Sequence, residues 1–221
     1  MSDRLIVERW NQNSAPWIQA VREGRIDSRV KATDAAIVDV VMQRNPTSVL
    51  DIGCGEGWLA RALATRGVDV LGIDVNAELI DSAREAGGGR FAAISQEELA
   101  SGALEECFDA CVCNFSLLGG EVVERLVRGI STRLNPGGAL IVQTLHPCAG
   151  GIEADYCEGW REGSWAGIDA AFADPAPWYF RTLQAWVKLF RDSRLHIEAM
   201  QETRHPETQQ LLSIILVGVP E

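Results

Sequence analysis

Between Thr47 and His146, short apolar runs alternate with amphipathic stretches in a regular rhythm. The runs TSVLDI, VDVLGID, RFAAIS, FDACVCNF and GGALIVQTLH are rich in aliphatic and β-branched residues and predict strands. Between them, GWLARALATRG, NAELIDSAREAGGG, QEELASG and GEVVERLVRGISTRLN predict helices. Gly67 closes the first of these and Asn76 caps the second. The last carries Val122, Val123, Leu126, Val127, Ile130 and Leu134 on one face. Apolar strands alternating with helices predict a parallel sheet covered on both sides.

Ahead of this block, Trp17, Ile18 and Val21 predict a helix capped by Ser14. Val30, Ile37, Val38 and Val41 form the stripe of a second helix over Arg29 to Arg44, ended by Asn45-Pro46. Behind the block the rhythm breaks, and residues 147–178 are rich in Gly, Trp, Asp, Glu and Pro without a period. A helix over Tyr179 to Asp192 follows, then two strand-like runs, RLHIEAMQET and LLSIILVGV. Only RHPETQQ separates them, too little for a parallel crossover, so they predict an antiparallel pair at the end of the sheet.

The chain has 221 residues, 47% of them apolar, enough for one α/β domain with an elaboration. Its net charge of −11 disfavours bulk nucleic acid as a partner. Six cysteines lie mostly in apolar runs with no basic-apolar leader ahead of them, which predicts reduced thiols and a cytoplasmic protein. LLSIILVGV is too short to span a bilayer.

The candidate chemistry begins at VLDIGCGEG. Gly53, Gly55 and Gly57 follow a buried strand and open a helix, where bare backbone and free N–H groups let a ligand approach. The spacing G-C-G-E-G is one residue short of the dinucleotide fingerprint, and Asp51 just before it repels a pyrophosphate. Asp51 instead attracts an ammonium or sulfonium group. Asp74, 23 residues further on at the end of the second strand, can accept from both hydroxyls of a ribose. A cationic nucleoside without phosphate, such as S-adenosylmethionine, satisfies both.

VLDIGCGEG, LGIDVNAELID, FDACVCNFSLL and LNPGGALIVQT, in this order and spacing, resemble successive motifs of the class I S-adenosylmethionine-dependent methyltransferases. The resemblance implies a Rossmann-like α/β fold with a seven-stranded, mainly parallel sheet, an antiparallel C-terminal strand and helices on both faces. It implies S-adenosyl-L-methionine as cofactor. Gly53, Cys54 and Gly55 would line the methionine moiety, with Asp51 near its amino group. Asp74 would bind the ribose, with Val75 and Asn76 beside the adenosine. Asn114 and Phe115 would flank the sulfonium. Ser95 and Gln96 stand where the family often has an acid for the adenine amino group. Arg29 is expected as an exposed surface arginine, with reach to the cofactor carboxylate as the alternative.

The expected organisation is one domain: a helical cap over 1–46, a cofactor core over 47–146, a Trp-rich substrate lid over 147–192 and a β-hairpin over 193–221. Trp160, Arg161, Trp165 and Tyr179 are the candidate substrate contacts, with a dimer surface as the alternative use of the aromatics. Trp10 and Trp17 either close the cofactor site or pack as a helix stripe. His146, after the fifth strand, is the candidate general base, with a loop hydrogen bond as its alternative role. The His146, Cys148 and Cys157 spacing lacks a metal-binding pattern, so no metal is expected. The expected activity is methyl transfer to a small-molecule acceptor. The rivals are a non-catalytic cofactor-binding or regulatory protein, a methyltransferase acting on tRNA or protein, and a nicotinamide-dependent oxidoreductase.

Overall fold

The computed structural model describes residues 1–149, 156–166, 168 and 171–221. Parts of the expected lid (150–155, 167, 169 and 170) lie outside the described residues. Strands β1 (Ser48–Ile52), β2 (Asp69–Asp74), β3 (Arg90–Ala93), β4 (Phe108–Asn114), β5 (Leu134–Leu145), β8 (Leu195–Arg204) and β9 (Leu211–Pro220) build one sheet in the order β3-β2-β1-β4-β5-β9-β8. β1 to β5 pair in parallel. β9 runs antiparallel to both β5 and β8, so the expected terminal pair is present. β6 (Gly159–Arg161) and β7 (Trp178–Phe180) form a separate antiparallel pair.

Alternate side chains of the strands feed two cores. Val49, Val70, Ala110, Val112 and Ile141 meet helices α3 (Asp34–Gln43), α4 (Trp58–Ala64) and α5 (Ala77–Ala86) on one face. Leu50, Ile52, Cys111, Cys113 and Val142 meet α6 (Gln96–Ala100), α7 (Glu121–Gly129) and α8 (Leu183–Asp192) on the other. This period-2 division explains why the central strands are apolar throughout.

Several local expectations are corrected. A helix α1 (Asp3–Gln12) precedes the first expected one; it buries no residue, so no apolar stripe announces it. Asn13, not Ser14, holds the N-cap position of α2 (Ser14–Arg22), without a side-chain cap bond. The second expected helix begins as a π-turn (Arg29–Thr33) before α3, which leaves Val30 62% exposed and off the buried stripe of Ile37, Val38 and Val41. Tyr179 lies in β7; α8 starts at Leu183, where the Thr182 hydroxyl accepts from Ala185 N.

The sheet's amino-terminal edge is structural. Asp109 accepts hydrogen bonds from the hydroxyl and amide of Thr47 (2.6 and 2.8 Å) and from Asn135 (2.8 Å). These bonds hold its carboxyl down to about 2. The carboxyl-terminal edge is different: buried polar groups gather there.

Candidate functional site

The loop after β1 is shaped by what it must pass. A Cβ on Gly53 (φ +75°) would lie 2.4 Å from Ser116 Cβ, so only glycine fits. The Gly53 and Cys54 amides both donate to Ile73 O at the end of β2 (2.7 and 3.0 Å). Gly55 (φ +57°) donates to Asp74 Oδ2 (3.0 Å), and Gly57 (φ +81°) starts α4. Asp74 Oδ1 accepts from Asn76 N (2.9 Å). A carboxylate has about four lone-pair sites, so this loop-tied acid can still accept from a ligand. Burial pushes the Asp74 carboxyl above the usual range, against the pull of the Asn76, Gly55 and Val75 amides.

Asp51 is 1% exposed and its Oδ2 has no hydrogen-bond partner. Burial, and after it the charge of Asp74, push its carboxyl up to about 7. Asn114 Oδ1, at the end of β4, is likewise buried without a partner. Phe115 follows with φ +54°, its amide held by Gln143 O (2.8 Å). Strain in a bulky residue at such a position is typical of functional sites.

Arg29 corrects the surface expectation: it is 7% exposed. Its guanidinium lies over Trp58 (4.8 Å) and near Trp17 (5.5 Å). Nε donates to Asp34 (3.0 Å), while Nη2 is buried without a partner. Trp58 is the first residue of α4, directly after the glycine loop, and the Trp17 indole would meet a Cβ on Gly55 at 3.3 Å. An unpaired buried cation end therefore sits beside the same loop as an unpaired buried carboxylate oxygen.

Other expected residues have local tasks. Cys54 packs its thiol against Gly72, so its side chain belongs to the core. Asn76 caps α5 through Leu79 N (3.1 Å), and Val75 beside it is 43% exposed. The Ser95 hydroxyl and Glu98 form a capping box on α6, and Gln96 donates to Ser116 O (2.9 Å). Both polar side chains expected near the adenine are thus already engaged.

His146 is 6% exposed. Its Nδ1 accepts from Cys148 N (3.0 Å), so Nε2 carries the proton and donates to Glu202 Oε1 (3.0 Å). No ring nitrogen is left with a free lone pair. In this arrangement the ring braces the end of β5, across β9, to β8, the kind of hydrogen-bonding role given above as its alternative.

The Trp-rich segment divides. Trp160 and Tyr179 stack edge to face across the β6–β7 pair (5.7 Å), next to Gly120. Phe115, Leu117, Leu145, Trp178, Tyr179 and Trp186 line a narrow cleft of about 20 Å³ at the carboxyl ends of β4 and β5. Trp165 goes elsewhere, joining Trp10 (5.4 Å) and Phe172 (4.7 Å) over the cofactor side. Arg161 lies on Phe180 (5.2 Å) and donates to Cys157 O (2.8 Å).

Three residues have tasks that the sequence did not announce. Arg181 is 4% exposed and donates to Gly119 O and Gly120 O (2.8 Å each), fixing β7 to the segment after β4. Glu56, fully buried in the glycine loop, pairs with Arg61 (2.6 Å) and Arg22 (3.0 Å), fixing α2 to the loop. Asn13 bonds to Ala173. Each depends on a partner far along the chain or on burial of the pair, and neither is a feature of spacing.

Residues 49–138 match a family described as "Methyltransferase domain". Over those residues the chain is similar to a methyltransferase domain. Among curated relatives, a ubiquinone biosynthesis O-methyltransferase of Chromobacterium violaceum is 29% identical over 149 residues. The match covers 65% of the present chain and 64% of the relative, so the chain spans less than two thirds of that protein. Among solved structures, magnesium protoporphyrin IX methyltransferase of Synechocystis PCC 6803, with bound S-adenosylhomocysteine, superposes with a TM-score of 0.69 at 18% identity (99% of this chain, 100% of that one). A 1,6-didemethyltoxoflavin-N1-methyltransferase of Burkholderia thailandensis gives 0.66 at 18% identity, covering 94% and 87%. These two likenesses establish that the chain has their fold.

Proposed function

We propose that the chain transfers a methyl group from S-adenosylmethionine to a small organic acceptor. One observation carries this reading: an unpartnered buried carboxylate oxygen (Asp51) and an unpartnered buried guanidinium end (Arg29) flank one glycine loop. Leaving such groups unpaired costs about 1–3 kcal/mol each, more for charges. An amino-acid zwitterion offers both the ammonium and the carboxylate they lack. Asp74, tied to the same loop, would accept from the hydroxyls of the attached ribose, and Asn114 would lie near the sulfur.

When bound, the cofactor supplies an electrophilic methyl on a sulfonium. The chain's part is to align and to exclude water, for which orientation alone supplies about 7–11 kcal/mol. Phe115, Leu117, Trp178 and Tyr179 form a largely apolar wall beside Asn114. The described lining of that cleft holds no carboxylate or imidazole, and His146 is engaged elsewhere. A nucleophile that ionises readily, such as a phenol-type hydroxyl, is the acceptor chemistry this lining suits. The printed names of the three relatives given above, each with a small molecule in it, and the net charge of −11 favour this over tRNA. Tyr179 stays a candidate substrate contact in the cleft wall, with Trp160 and Arg161 behind it, whereas Trp165 belongs with the cap aromatics.

Calorimetry with S-adenosylmethionine and S-adenosylhomocysteine, then a labelled-methyl screen over hydroxylated aromatics, tests the proposal. Micromolar binding and transfer are expected; binding without transfer across the panel would favour a regulatory protein, and selective NADH binding an oxidoreductase. Arg29→Met is expected to weaken S-adenosylhomocysteine binding tenfold or more. An unchanged affinity removes Arg29 from the site.

A further inference from the structure

One short stretch, residues 9–17, touches the glycine loop, the ribose-side helix and the lid together. Toward the loop, Trp17 covers Gly55. Toward α5, Ser14 donates to Glu78 and Trp10 O accepts from Asn76. Toward the lid, Trp10 meets Trp165 and Trp17 meets Phe172 (6.4 Å), while Arg9 pairs with Asp174 (2.7 Å).

The pin of this clasp is Asn13, 1% exposed. Its Oδ1 accepts from Ala173 N (2.9 Å), and its Nδ2 donates to Ala173 O (2.9 Å) and to Arg9 O (2.8 Å). One amide side chain thus satisfies both main-chain groups of a lid residue, as a neighbouring strand would. Ala173 lies only five residues before Trp178, where the wall of the acceptor cleft begins. The connection, Asp174-Pro175-Ala176-Pro177, holds two prolines, whose fixed φ removes slack. Ala176 is buried, and its carbonyl would lie 2.0 Å from a Cβ on Gly163, so the strap is also packed down.

We infer that Asn13 is a positioning residue that couples cofactor occupancy to the acceptor cleft: cap and lid are held as one body, so cofactor binding orders the cleft. The inference rests on the cofactor reading above. Residues that settle Trp17 and α2 on an occupied loop also settle Ala173, and through the proline strap the β7 wall. A methyl donor held as the cleft forms is shielded from water when the acceptor arrives.

Hydrogen exchange on the full chain, with and without S-adenosylhomocysteine, tests this. In the wild type the ligand is expected to slow exchange tenfold or more both at the glycine loop (residues 49–58) and in the lid (171–182). Asn13→Ala is expected to keep loop protection and lose the ligand-dependent part in the lid. A merely structural role would loosen the lid equally with and without ligand. Should Asn13→Ala disturb the cap itself, Phe172→Ala decides, because it cuts the clasp from the lid side and leaves α1 and α2 intact. Lid protection equal to wild type in these variants overturns the coupling. So does a wild-type lid indifferent to ligand while the loop responds. No response at either place defeats the cofactor reading, and the coupling with it.

Discussion

Asp51 is the residue on which the site's electrostatics turn. Its carboxyl titrates near 7 in the folded chain, raised by burial and by the Asp74 charge, against about 3.9 in an unfolded one. Between those values the folded state holds a proton that the unfolded state has lost. Its stabilising contribution is therefore complete below about pH 4 and is lost as pH rises through 7, by roughly 1.4 kcal/mol per pH unit. The urea midpoint of the ligand-free protein should fall from pH 5 to pH 8, and Asp51→Asn should lose most of that fall. The same proton opposes a cation, so cofactor affinity should be about tenfold weaker at pH 6 than at pH 8. A flat affinity profile would separate Asp51 from the ligand. Asp51, Asp74 and the glycines were legible in the sequence because their roles follow from position relative to strand ends. The burial of Arg29 and the tasks of Asn13 and Arg181 were not, since burial and partners up to 160 residues away decide what a polar side chain does.

At the scale of elements, legibility followed the source of each element's stability. The five parallel strands and their helices bury periodic apolar faces and stand where the pattern put them, except that the helix expected through Asn135 ends at Gly129, passes into a 3-10 turn (Ile130–Arg133) and gives way to β5 at Leu134. α1 buries nothing and is held from outside, by Asp3 accepting from Gly120 N (2.7 Å) and Val122 N (3.2 Å) at the start of α7. β6 and β7 pair across a long gap in the chain, with three residues each and no alternating pattern to betray them. His146 shows the same rule for a side chain. It lies at the end of β5, and its nitrogens brace β5 to β8 through Glu202 and close the turn at Cys148. His146→Ala should cost about 1–3 kcal/mol of stability by leaving the Cys148 amide unpaired. S-adenosylhomocysteine affinity should stay unchanged, and the pH profile of turnover should show no lost imidazole step. A large fall in turnover at full stability would restore the base.

The whole molecule divides its two sheet edges between stability and ligand. At the amino edge Asp109 is fully paired and its carboxyl held near 2, so that edge gains nothing from a ligand. At the carboxyl edge, Arg29 Nη2, Thr33 Oγ1, Asp51 Oδ2, Asn114 Oδ1 and Gln143 Oε1 are all buried without partners among the described residues. Such a concentration lowers the stability of the free protein and makes it unusually responsive to a ligand that pairs even some of these atoms. Binding only the native state at a hundred times the dissociation constant adds about 2.7 kcal/mol. For a chain of this size that corresponds to about 5–10 °C in melting temperature. S-adenosylhomocysteine should produce that shift, Arg29→Met should lose most of it, and Asp109→Asn should lower the baseline while preserving the shift. Equal losses of the shift in both variants would mean that the two edges are not independent, and that the unpaired atoms reflect how the cap packs and not what it receives.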